Sequence, residues 1–390
     1  MLKSVKKLLI NFFLMFLTLG FCVVLFEIFM NVVSPESSGY FTLIPKTTIT
    51  MLPDPSIFPG IHGASVFKTN KYGIRGREIT AMDTLKILTV GGSTTECLYL
   101  DQSETWQTLF ENKMNENIFQ KKVWVGNIGK SGLTSFDNFI QLKFSYSNLP
   151  QIDVLMVMVG INDMFAFIAK DKKNAFIHDN EIIRDSIVPK VFARYPKSGA
   201  FSIIKNSRLY RLVKNVYVQI KFNDVIQNDS GKIYNKWRAN KKNSKRIIDH
   251  PPDLRVALDE YERNIDSIIT IMNNRVKKII FLSQASIWRS DLTEYETNLL
   301  WMGGKGDYQK TSGKEYYSVN VLGHCIELYN NKLKEICLRR NVELIDICQN
   351  IPKDTSAFYD DVHFNENGAK LIADRIYSNL IKNKILYPRK

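Results

Sequence analysis

Lys86-Ile-Leu-Thr-Val90-Gly91-Gly92-Ser93-Thr94-Thr95-Glu96 is the stretch on which the fold turns. Ile87 to Val90 is a short apolar run rich in β-branched residues, which favours a strand buried on both faces. The two glycines permit a tight turn, and a helical stretch follows. In an open parallel sheet, ligands bind beyond the carboxyl ends of the strands, so Ser93 stands where a nucleophile belongs. The N-terminus of the following helix favours negative charge beside it. The pattern lacks the second glycine of the G-x-S-x-G elbow, which disfavours an α/β-hydrolase.

Similar runs recur along the chain. Val123–Asn127, Asp153–Val159, Lys278–Leu282 and Val342–Asp346 read as four more strands. Glu104–Met114, Ser135–Ser147, Leu254–Asn273, Val319–Arg339 and Glu366–Lys384 read as helices between and after them. Near-continuous apolar strands alternating with amphipathic helices predict a parallel five-stranded sheet covered on both faces. From about 165 to 255 the rhythm breaks. That stretch holds 20 Lys and Arg against 8 Asp and Glu, most of the chain's net charge of +14. It reads as a basic insertion, suited to anionic lipid or acidic polysaccharide or simply solvated, and no chemistry is assigned to it. No nucleic-acid recognition motif is present.

With 390 residues, 45% hydrophobic and 24% charged, the chain is neither disordered, nor collagen-like, nor a multi-span membrane protein. Five cysteines exclude a disulfide scaffold; Cys337 and Cys348 are spaced to leave a bridge open, with buried thiols the default. One segment is anomalous. Leu8 to Phe26 carries no charge, Lys3, Lys6 and Lys7 precede it, and Ser34-Pro-Glu-Ser-Ser38 follows as a polar exit. The run is long enough for a single membrane span and too long for a cleavable signal. By the positive-inside rule its N-terminus is cytoplasmic and the rest extracytoplasmic. The expected organisation is a tip and signal anchor at 1–34, a linker and N-terminal segment at 35–82, and an α/β domain at 83–385 interrupted by the insertion.

Other strand ends carry polar groups as well. Asn127-Ile-Gly129-Lys130-Ser131-Gly132 suggests a phosphate loop, but Trp124 stands where that motif requires glycine. A glycine there instead offers an unobstructed backbone N–H. Gly160-Ile-Asn162-Asp163 places an amide beside the same crevice, able to donate to an oxyanion, although Asn-Asp is also good turn and capping chemistry. Asp360-Asp361-Val362-His363 follows the last strand. A carboxylate three residues before an imidazole folds back to orient it, which favours Asp360, whereas Asp361 points elsewhere. His62, His178, His250 and His324 lack such a partner, and no spacing supports a metal.

Taken in order, these blocks resemble the SGNH (GDSL-type) hydrolase superfamily, and in particular its membrane-anchored bacterial members. Gly91-Gly92-Ser93 matches the first block, with glycine where many members have aspartate; Gly132, Gly160-x-Asn162-Asp163 and Asp360-x-x-His363 match the others. Asn70-Lys-Tyr-Gly73-Ile-Arg75-Gly and Ser283-Gln284-Ala-Ser-Ile-Trp288 also resemble segments of those members. The resemblance implies a three-layer α/β/α sandwich of flavodoxin-like order. It implies a Ser93–His363–Asp360 triad, an oxyanion hole from Ser93, Gly132 and Asn162, and neither cofactor nor metal. The expected activity is hydrolysis of acyl esters, O-acetyl above all, on an extracytoplasmic envelope glycan. O-acyl transfer to a surface polysaccharide, lipid-directed lipase or thioesterase action, and non-catalytic glycan binding are the alternatives. Expected partners are an acylated glycan or lipid and the membrane, not nucleic acid.

Overall fold

Each of the five apolar runs becomes a strand, and the pairing between them is parallel throughout. The computed structural model describes residues 2–33, 39–117, 122–169, 186–196, 207–210, 212–214, 216–217 and 231–382. Its strands are β1 (Thr48–Met51), β2 (Ser65–Lys68), β3 (Asp83–Gly91), β4 (Lys122–Asn127), β5 (Val154–Met158), β6 (Arg246–Ile248), β7 (Lys278–Leu282), β8 (Glu315–Tyr317) and β9 (Glu343–Ile345). The main sheet has the order β4-β3-β5-β7-β9. This is the flavodoxin-like order, and its direction reverses between β3 and β5. Every residue of β5 is buried, as its unbroken apolar sequence requires. Two small sheets lie outside this frame: antiparallel β1-β2 and parallel β6-β8.

Helices cover both faces. The helices Trp106–Asn117 and Glu366–Lys382 pack together, while Arg255–Met272 packs against Ser135–Ser145 and Val319–Arg340. Arg255–Met272 shows why: Ala257, Tyr261, Ile265, Ile268, Ile269 and Met272 form one buried stripe at helical spacing. Ser135–Ser145 starts at a capping box, in which Thr134 and Asp137 satisfy each other's backbone N–H. The helix read from Glu104 starts at Trp106, because Glu104 N–H already closes a turn on Asp101 O.

The chain divides into two units, Met1–Tyr40 with Tyr195–Val225, and Phe41–Arg194 with Ile226–Lys390. In the first, Leu2–Val33 is a single helix; its Val5–Met30 portion has a mean hydropathy of 2.6, is wholly unburied, and is long and apolar enough to cross a membrane. In the second, residues 41–82, read as a linker segment, share one unit with the sheet. The basic stretch is split between the two units, and its portions 170–185, 197–206 and 218–230 lie outside the described residues, as do Ser34–Ser38, His178 and the final helix beyond Lys382.

Within the second unit, Arg75 ties the N-terminal segment to the turn after β3. Its backbone pairs with Asn127 at the end of β4, and its side chain is 1% exposed. Nη1 donates to Glu96 O (2.5 Å) and Cys97 O (2.7 Å), Nη2 to Leu100 O (2.7 Å), and Nε to Gln102 Oε1 (3.1 Å). Burial pulls the guanidinium down to about 10, against the opposing pull of nearby Cys97, Glu96 and Asp101, so it stays cationic at neutral pH. Arg75→Ala leaves Leu100 O without its donor and takes the shorter bond from Glu96 O and Cys97 O, which keep Asn127 Nδ2 (3.5 Å) and Leu100 N–H (3.1 Å). At ~1–3 kcal/mol for an unsatisfied buried group, urea unfolding of the detergent-solubilised chain should show a loss of at least about 1 kcal/mol. A change within about 0.5 kcal/mol would contradict this role.

Candidate active site

The site begins at the turn that ends β3. Ser93 opens a single helical turn, Ser93–Glu96, which Cys97 closes in the left-handed region at φ 53°. Side chains from neighbouring elements hold the carbonyls of this turn. Asn127 Nδ2 (2.6 Å) and Gln107 Nε2 (2.7 Å) both donate to Thr95 O, and Trp106 Nε1 donates to Thr94 O (3.3 Å). With Arg75 on Glu96 and Cys97, the turn is fixed from below by groups that belong to three separate stretches of sequence.

The loop after β9 brings the second component. Phe358 and Phe364 form an antiparallel bridge, and Tyr359 N–H donates to His363 O, so residues 358–364 make a tight closed loop. Asp360 folds back within it. Oδ1 accepts from the backbone N–H groups of Val362 (3.0 Å) and His363 (2.9 Å), and Oδ2 accepts from Trp301 Nε1 (2.9 Å). The same carboxylate meets His363 Nδ1 at 2.7 Å through Oδ2. His363 Nε2 lies 2.7 Å from Ser93 Oγ. Hydroxyl, imidazole and carboxylate thus form one continuous hydrogen-bonded chain.

The electrostatics follow from this packing. Burial alone lowers the imidazole pKa, but the adjacent Asp360 carboxylate outweighs it and holds His363 above its ordinary value. Burial pushes Asp360 up, yet the charge and hydrogen bond of His363 and the Val362 and Trp301 donors bring it below the usual carboxylate range. Tyr359 stacks on the imidazole, with ring planes 11° apart and centroids separated by 5.4 Å, which fixes the ring plane.

Asn162 and Gly132 are held around the same turn. A Cβ built on Gly92 would lie 2.3 Å from Asn162 Nδ2, so the amide occupies the space that a side chain at position 92 would need. Glycine at position 92 therefore has a physical reason. Asn162 Nδ2 also donates to Leu133 O (2.9 Å). Gly132 adopts φ 76°, where only glycine is unstrained, and open space lies where its Cβ would be. The Glu96 carboxylate accepts from Ser131 N–H (2.8 Å) and from the Ser131 hydroxyl, tying the Gly132 loop to the Ser93 turn. Asp163, pushed up to about 6 by burial, accepts from Ser135 N–H and Oγ and ties that loop to the Asn162 helix. Among the described residues, no hydrogen bond occupies the N–H of Ser93 or Gly132.

Asp361 does point elsewhere, to Trp288 Nε1 (3.0 Å) and to the backbone N–H groups of Trp301 and Met302. Lys130 Nζ donates to Lys190 O and Val191 O, not toward a phosphate-loop cradle. His62, read as solitary, meets Glu366 at 3.2 Å on the surface. All five cysteines are free. Among the described residues no group of His, Cys, Asp and Glu is placed to hold a metal.

Trp301, Tyr359, Tyr234 and Arg238 were not legible as site residues. Arg238 donates to Ile57 O and Tyr359 O, and Tyr234 packs edge-on against Trp301, so part of the basic stretch supports the loop that carries the imidazole. The signal available for Trp301 was slight: a buried indole N–H needs an acceptor.

No protein-family model matches the chain, and no curated protein matches it. Among solved structures, the chain is similar to an acetylxylan esterase from Geobacillus stearothermophilus, at 14% identity over 77% of this chain and 96% of that one, with a TM-score of 0.39. It is also similar to an alpha/beta hydrolase enzyme from the metagenome of Lake Arreo, Spain (13% identity, 76% and 94% covered, TM-score 0.40). A member of the lipolytic protein G-D-S-L family from Veillonella parvula gives 11% identity, 77% and 100% coverage and a TM-score of 0.39.

The pKa directions define a pH window. A raised His363 value contributes stability that is fully present below about 6.5 and disappears as pH climbs through the raised value. A depressed Asp360 value contributes above about 3.9 and is lost as pH falls through the depressed value. Asp360→Asn removes the charge behind the histidine shift. Its stability deficit in urea unfolding should therefore be larger near about pH 5.5 than near about pH 9. Equal deficits at both pH values would contradict the coupling.

Proposed function

We propose that the chain is an SGNH-type serine hydrolase of acyl esters, with Ser93 as nucleophile, His363 as general base and acid, and Asp360 as its orienting carboxylate. The observation that carries this reading is the 2.7 Å approach of His363 Nε2 to Ser93 Oγ, with Nδ1 already held by Asp360. Ser93 Oγ attacks the ester carbonyl as His363 Nε2 takes its proton; the imidazolium forms beside a buried carboxylate. The negative charge on the carbonyl oxygen is met by the N–H groups of Ser93 and Gly132 and by the Asn162 amide. Collapse expels the alcohol, protonated by His363, and leaves an acyl-Ser93 ester. Water then repeats the sequence, releasing the carboxylic acid and restoring the serine.

The pocket at Ser93 speaks for a short acyl group: it is small and lined by Cys97, Tyr99, Leu100, Tyr359 and Phe364. Acetyl is accordingly the acyl group put forward, and a helix able to cross a membrane, preceded by Lys3, Lys6 and Lys7, favours an extracytoplasmic envelope glycan as its carrier.

A p-nitrophenyl ester series on the full-length chain tests this. Acetyl should be preferred over long chains, Ser93→Ala should lower kcat by ~10³-fold or more, and a fluorophosphonate should label the parent but not the variant. An unlabelled parent, or a variant as active as the parent, would refute the triad; preference for long chains would favour a lipase. Acetate appearing on an added glycan acceptor instead of in solution would identify acyl transfer.

Gly92→Ala is a sharper probe of the oxyanion donors. Displacing the Asn162 amide should cost ~10²–10³ in kcat with KM little changed. Steady-state kinetics showing kcat within about twofold of the parent would remove Asn162 from the oxyanion site.

A further inference from the structure

In the unit formed by Met1–Tyr40 and Tyr195–Val225, a second helical segment is fastened to the long apolar helix. Glu27 is the acid that interrupts the apolar sequence, three positions before the span ends at Met30. Its Oε2 accepts from Arg208 N–H (3.0 Å) and its Oε1 from Leu209 N–H (2.9 Å), while Arg208 Nη1 donates to Met30 O (2.8 Å). Residues 208–210, 212–214 and 216–217 are helical. The Glu27 carboxylate thus satisfies two N–H groups at the start of that helix, where unpaired donors and the helix dipole favour negative charge.

The two faces of this segment differ. In the sequence, Arg208, Arg211 and Lys214 recur every third residue, while Leu209, Leu212, Val213, Val216 and Tyr217 fall on the opposite arc of a helical wheel. Those apolar side chains are not folded into a core: Leu212 is 48%, Val213 58%, Val216 48% and Tyr217 60% exposed. Arg208 is 6% exposed and turned onto the long helix, whereas Lys214 is exposed. An open apolar face with an exposed lysine on the other arc, joined to the end of a membrane-length helix, is the pattern of a helix lying in a bilayer interface.

We propose that the helical residues 208–210, 212–214 and 216–217 lie in the headgroup–acyl boundary of the bilayer, apolar face down and Lys214 toward anionic headgroups, with Glu27 as the staple that sets their depth. The inference rests on reading Leu2–Val33 as a membrane span and is independent of the hydrolase chemistry. A carboxylate within a span is costly unless it is bonded, and its position at the span's end makes it a connector to the interface.

The test uses the full-length chain in vesicles of phosphatidylcholine and phosphatidylglycerol, in a Cys22→Ser, Cys348→Ser background that leaves only the buried thiols, with one environment-sensitive fluorophore placed by Val213→Cys, Val216→Cys, Lys214→Cys or Leu14→Cys. Nitroxide near the top of the lipid acyl chain should quench the probes at 213 and 216 several-fold more than the probe at 214. Nitroxide at mid-chain should quench the probe at 14. Glu27→Ala should reduce quenching at 213 toward the level at 214. Equal quenching at 213, 214 and 216, or none, with position 14 quenched, overturns the interface helix and leaves the span standing. A probe at 213 shielded from aqueous quencher yet untouched by lipid nitroxide means that protein covers this face, which also overturns it. Loss of quenching at position 14 removes the span and the proposal together.

Discussion

A fully buried carboxylate is the constraint around which the second unit is organised. Asp360 is 0% exposed, and removing that charge from water is tolerable only because its oxygens are answered from several sides. Two of its donors come from the backbone of its own loop, one from the Trp301 indole and one from the His363 imidazole. Satisfying the acid therefore shapes the loop, aims the imidazole at Ser93 and demands that Trp301 arrive from a distant segment. The loop around it is braced by Tyr359 on the ring face and by Arg238 on the Tyr359 carbonyl.

The opposite side of the site is a problem in backbone carbonyls. A single helical turn ending in a left-handed residue leaves its oxygens pointing into the unit, and Arg75, Asn127, Gln107 and Trp106 all converge on them. The Glu96 bond to Ser131 and the Asp163 bond to Ser135 extend the same frame to the Gly132 loop and the Asn162 helix. The turn that carries Ser93, the Gly132 loop and the Asn162 helix are thereby held in one hydrogen-bonded frame.

Much of this frame was legible because a run such as Val154–Met158 has one comfortable place in a folded protein, the centre of a parallel sheet. Asp360 and His363 were legible because their bond is local in sequence, and Ser93 because it follows a strand. Contacts set by distant residues were not. Nothing near Trp301 announces Asp360, and nothing in the lysine-rich stretch marks Arg238 as a brace rather than a solvated charge. Strands β6 and β8, three residues each, pair across a long separation and have no periodicity to betray them. Arg75 stands in a motif visible in the sequence, but its carbonyl targets come within reach only where the N-terminal segment packs on the sheet.

The Ser93 hydroxyl and the His363 imidazole are separated by 270 positions, and the imidazole lies just before the helix Glu366–Lys382. Their bond therefore exists only while the elements between them hold their places, among them the helix Glu366–Lys382 packed on Trp106–Asn117. The distance from hydroxyl to ring is thus an internal gauge of how completely the second unit is assembled.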